Sequence, residues 1–155
     1  MNTLVETIAA AFAGVPKPVG LRAIAPHVCD ECNELANDFS AYDFRTLPGS
    51  LIEAQYSGLP LLSPEALHHY LPAYMIHALA CDPESNILDF TVFHLVPSAK
   101  SMAETPQYFR ERFAVFSEEQ RAVIAAFLTH VYASKRFEGR EPSVERAREL
   151  WPNVA

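Results

Sequence analysis

The stretch SEEQRAVIAAFLTHVYASK, residues 117–135, decides the fold class. Val123, Ile124, Phe127, Leu128 and Val131 recur at the spacing of one helix face and form an apolar stripe wide enough to meet a core. Ser117 followed three positions later by Gln120 is a capping box, which marks where the helix starts. A helix of this kind draws its stability from what covers its stripe. The rest of the chain must therefore supply helices or a sheet to pack on it, and Phe127, at the stripe's centre, is the expected core anchor.

Upstream the same signals recur. Thr3 with Glu6 reads as a capping box ahead of Leu4, Val5, Ile8 and Phe12, with Gly14 and Pro16 as the stop. A second helix is expected from Cys29 to Ser40, and Ser50 with Glu53 reads as another capping box. In LSPEALHHYLPAYMIHALAC, residues 62–81, Ser63 is the cap and Pro64 lies in the first turn, while Pro72 should kink or break the helix. Ser143 opens a last short helix. Only NILDFTVFHLVP, residues 86–97, is ambiguous between helix and strand, and a lone strand there would lack a partner. The expectation is an all-α, single-domain bundle over residues 1–155, with about five to seven helices and at most a minor strand near residues 87–95.

Composition bounds the rest. Half of the residues are hydrophobic and 20% are charged, which excludes a disordered chain. No apolar run reaches the length of a membrane span. The net charge of −7 is placed unevenly: residues 1–100 hold 4 Lys/Arg against 11 Asp/Glu, and residues 101–155 hold 8 against 8. Such a surface repels nucleic acid and anionic lipid and suits a basic protein partner or a cation. The opening residues lack the basic flank of a signal peptide, and three cysteines are an odd number, so a reducing cytoplasm is expected.

The chemistry is concentrated in PHVCDECNEL, residues 26–35. Thiolate and imidazole are the preferred ligands of zinc, and Cys29 and Cys32 have the Cys-x2-Cys spacing that presents two sulfurs from one short loop. His27 offers a third ligand, and Cys81, on the face of His77, is the candidate fourth. Two other readings stand beside this one. Val28, Cys32, Leu35, Phe39 and Tyr42 fall on one stripe, which would make Cys32 an ordinary core residue. A helix N-terminus can also lower a thiol pKa for redox work, although Asp30 and Glu31 oppose it.

Asp30, Glu34 and Asp38 recur every four residues and form the candidate face for a basic partner. His68 and His69 diverge on a helix, so one is expected to be exposed, whereas His94 and His130 are expected to be packed or on the surface. Tyr70, Tyr74, Phe90 and Phe93 are expected in the core. No Gly-rich phosphate loop, nucleophile elbow or HExxH helix is present.

The blocks HVCDECNEL, LPLLSPEALHHYLPAYMIHAL and FSEEQRAVIAAFLTHVY resemble a family of small bacterial proteins of unknown function. The resemblance implies a cytoplasmic, single-domain, mostly helical protein and carries no activity. The functional expectation is therefore a non-catalytic acidic binding module, an inhibitor or immunity-like protein that masks a basic partner. The alternative is a zinc-binding protein, or a metal- or thiol-dependent enzyme, centred on His27, Cys29 and Cys32.

Overall fold

The computed structural model describes residues 2–155, and among them it is entirely helical. Ten α-helices follow one another: α1 Asn2–Ala11, α2 Leu21–Ile24, α3 Asp30–Ser40, α4 Gly49–Ala54, α5 Pro64–Ala80, α6 Ile87–Leu95, α7 Ala99–Glu104, α8 Pro106–Phe113, α9 Glu118–Ala133 and α10 Val144–Leu150. A single 3-10 turn, Leu59–Leu61, precedes α5. The count exceeds the expected five to seven because α2, α4 and α7 have only four to six residues each. No strand occurs near residues 87–95; that segment is α6. No described helix is long and apolar enough to cross a membrane.

Helix α5 is the hub, packed against α1, α2, α4, α6 and α8. It is buried on nearly every side, including Tyr70, Leu71, Pro72, Tyr74 and Met75. The two tyrosines do more than fill space. Tyr70 donates from its hydroxyl to the carbonyls of Phe39 and Tyr42 at the end of α3, and Tyr74 donates to Gln55 O at 2.6 Å beyond α4. Burial pushes the Tyr70 hydroxyl up to about 12 and Tyr74 higher still, so both remain protonated donors.

Pro72 does not break α5, which runs through it without interruption, so of the kink or break expected from sequence the break does not occur. Its ring forfeits one backbone bond, but the helix is clamped from several sides, and that packing outweighs a local cost of about 3 kcal/mol. The start of α5 is fixed twice over. Ser63 accepts from Ala66 N and donates to Ala23 O at 2.6 Å, while its own N–H bonds Ile24 O. The N-terminus of α5 is thereby joined to α2.

Helix α9 is capped by Ser117, and both halves of the capping box are formed. The other two boxes are not. Thr3 lies inside α1, and its carbonyl accepts from the Thr7 hydroxyl. In α4 the N-cap is Pro48, so Ser50 falls within the first turn, and Glu53 is drawn instead to His77 and Ser85. Gln120 also ties three helices together, donating to Ala11 O and accepting from His68 Nε2 at 2.7 Å.

Neither of the adjacent histidines is exposed. His68 is half-buried, and His69 is buried, accepting from Phe44 N at Nε2 and donating from Nδ1 to Val15 O. Burial holds the His69 ring below its usual pKa, which matches this neutral, fully bonded tautomer. Phe127 is fully buried, as are Tyr70 and Tyr74; Phe90 and Phe93, in contrast, remain 37% and 40% exposed.

Candidate metal centre

The HxCxxC bracket occupies the junction between α2 and α3, two elements that pack directly on each other. Asp30 and Glu31 sit in the first turn of α3, where carboxylates favour the positive end of the helix. Cys29 is the N-cap. Its sulfur accepts the Cys32 backbone N–H at 3.3 Å, in the role a serine or aspartate side chain plays elsewhere. Cys32 therefore lies one turn into the helix, 1% exposed and pointing inward with Leu35, Ala36 and Phe39. Val28 does not share that stripe; it is 73% exposed, because it precedes the helix and has no helical phase.

The loop is held by a residue with no signal in the sequence. Arg22, on α2, donates to His27 O at 2.6 Å and to Asn33 Oδ1 at 2.5 Å, bridging the loop to α3. Its role depends on a backbone carbonyl, so no pattern of side chains announces it. With the loop so placed, one donor atom from each of His27, Cys29 and Cys32 lies within 4.8 Å of the other two. The Cys32 sulfur is 3.9 Å from His27 Nδ1. A tetrahedral zinc with ordinary Zn–S and Zn–N bonds has ligand-to-ligand edges of roughly 3.5–3.8 Å, so a shift of about 1 Å at most completes the triangle.

The electrostatics suit a thiolate site. The Cys32 thiol, then the Cys32 backbone N–H, then His27 hold the Cys29 thiol down at about 7. The hydrogen bond with Cys29 and then burial push the Cys32 thiol up, so the first proton leaves Cys29. At neutral pH Cys29 is thus about half thiolate, and Cys32 is a second thiol that a cation would deprotonate.

The structure does not bring Cys81 to this group. Cys81 caps the far end of α5, where its thiol donates to Ala78 O, while α2 docks at the near end through Ser63. Seventeen helical residues separate the two ends by roughly 25 Å. His77, its neighbour in the sequence reading, is paired with Glu53 at 2.7 Å. Ser85 first, and His77 after it, hold the Glu53 carboxyl below its usual pKa against the opposing effect of burial.

The acidic face is reduced as well. Asp30 and Glu34 are exposed one turn apart, but Asp38 is half-buried and accepts from Gln55 Nε2 at 3.0 Å. Its charge is partly committed within the fold.

No curated protein and no solved structure matches the chain. A family model does match, over residues 1–155, and the chain belongs to that family, the family of unknown function DUF6714.

Proposed function

We propose that the protein is a non-catalytic binding protein that holds one thiophilic divalent cation, zinc foremost, on His27, Cys29 and Cys32. The convergence of one imidazole and two sulfurs within 4.8 Å carries this reading. Two sulfurs and one nitrogen suit zinc, and three protein ligands leave a fourth position for water or for a donor from a partner. His27 is exposed and Cys29 half-exposed, so the ion has a path in from solvent. All three cysteines are free, in keeping with a reducing compartment such as the cytoplasm.

Protein purified without chelator is expected to carry close to one zinc per chain by elemental analysis. Cys29→Ser should weaken binding beyond the roughly 10–100-fold that loss of an outer-shell partner costs. Cys81→Ser should leave stoichiometry and affinity unchanged. In the metal-free protein, alkylation of Cys29 by iodoacetamide should rise with a midpoint near pH 7, and added zinc should suppress it. Absence of stoichiometric transition metal in chelator-free protein would reject the reading.

A second reading, docking of a basic protein partner, is favoured by the exposure of Asp30 and Glu34 beside the same loop. Reversing both to lysine should slow association with such a partner and flatten its salt dependence, measured by stopped-flow at two ionic strengths. Unchanged association kinetics would remove this face from the interface.

A further inference from the structure

A second site lies outside the cysteine loop. Between α6, α8 and the start of α10 the fold leaves an open cavity of about 690 Å³, within the range of small-molecule pockets. Its walls are aromatic. Tyr56 meets Phe90 edge-on at 5.0 Å, Phe90 meets Phe93 at 5.7 Å, and Tyr108 stands edge-on to Phe109. Phe90 and Phe93 are among the few large apolar side chains the fold leaves exposed, and both line this cavity.

Two polar side chains, His94 and Arg146, line the same space. His94 lines the cavity yet is only 6% exposed, and its Nε2 has no hydrogen-bond partner. Burial first, and the Arg112 charge second, push its ring down to about 3, so the imidazole is neutral and one ring nitrogen carries a donor hydrogen. Arg146, also on the wall, spends three of its five N–H donors on Pro97 O, Glu149 and the Met102 sulfur. Two donors remain.

The buried charge beside the cavity is a cation. Behind the wall, Arg112 is 3% exposed and meets no carboxylate among the described residues. Glu141 also lines the cavity, but it is exposed, so water and salt screen it far more than they screen a buried guanidinium.

We propose that this cavity is a binding site for a small aromatic carboxylate, its ring against Tyr56, Phe90 and Phe93 and its carboxylate on Arg146 and His94. Edge-to-face contact rewards a flat ring over an aliphatic chain, and the spare guanidinium donors select the carboxylate.

The experiment is a calorimetric titration of the purified protein with three probes that share one ring system: 2-naphthylacetate, 2-(2-naphthyl)ethanol and 2-(2-naphthyl)ethylamine. The acid should saturate at one equivalent, with the alcohol and the amine at least about tenfold weaker. Arg146→Gln should erase the preference for acid over alcohol. His94→Phe should melt no lower than the parent, since it removes a buried polar group without a partner, yet bind the acid about tenfold more weakly. Equal affinity for the three probes, or uptake that never saturates, would overturn the proposal. So would concentration-dependent self-association abolished by Phe93→Asp, which would make this face a contact between two copies of the chain.

Discussion

Phe127→Ala is expected to lose about 3–5 kcal/mol of folding stability, read as a lower urea midpoint at unchanged slope. Phe127 is fully buried on α9, between Ile124 and Leu128 and one turn before Val131, all of them buried too. Truncation at the middle of such a face removes the transfer energy of the ring and leaves a void. The helix cannot close that void by moving, because its start is fixed by the Ser117 capping box and by Gln120 on Ala11 O. Ala126, one residue away and exposed, is the control: Ala126→Gln should change stability by no more than about 0.5 kcal/mol. A loss at Phe127 below about 1 kcal/mol would reject the burial of this face.

That prediction follows from the sequence alone, and the contrast with other elements shows where legibility ends. The stripe of α9 and the serine caps at Ser63, Ser117 and Ser143 are local signals, set by neighbours within one turn, and each forms as read. Thr3 and Ser50 carry the same pattern yet do not cap, because the helices begin before them and the position of the first turn is a tertiary matter. Pro72 fails as a breaker for the same reason. The helix around it is held by contacts far away in the chain, such as Tyr70 on Tyr42 and Tyr74 on Gln55.

The candidate site divides along the same line. His27, Cys29 and Cys32 are near neighbours in sequence, so their convergence is readable from spacing. The sequence associates Cys81 with them only through the face it shares with His77, and a shared face says nothing about position along the helix axis. The cavity beside α6 left no mark in the sequence. Phe90 and Phe93 look like core residues, and only the packing of α8 and α10 leaves their rings lining open space.

Arg112 has the least legible role of all, and its replacement carries the second large effect. Arg112→Met is expected to cost about 3–5 kcal/mol, although methionine is the more apolar residue and nearly fills the same volume. The guanidinium donates through Nη1 to Leu62 O and through Nη2 to Leu59 O at 2.6 Å, joining α8 to the 3-10 turn some fifty residues earlier. Both bonds are buried and charge-assisted. Without them Leu62 O loses its donor in a place water does not reach and Leu59 O keeps only the Leu62 N–H at 3.2 Å, and each charge-assisted bond lost costs about 1.5–3 kcal/mol.

Against this stands a gain: burial holds the Arg112 pKa below its ordinary value, and its Nε has no partner, so methionine relieves a strained charge. The two carbonyl bonds outweigh that relief, because the charge already has partial compensation from both carbonyls and from the Tyr108 ring at 4.8 Å. Arg112→Lys separates charge from geometry. Lysine keeps the cation but replaces the planar fork with a single ammonium centre, so it should recover less than half of the loss. The measurement is urea unfolding of the three proteins under one buffer condition. If Arg112→Met unfolds at or above the parent's midpoint, the fork does not secure the entry to α5. If lysine restores full stability, charge rather than shape is what that entry requires.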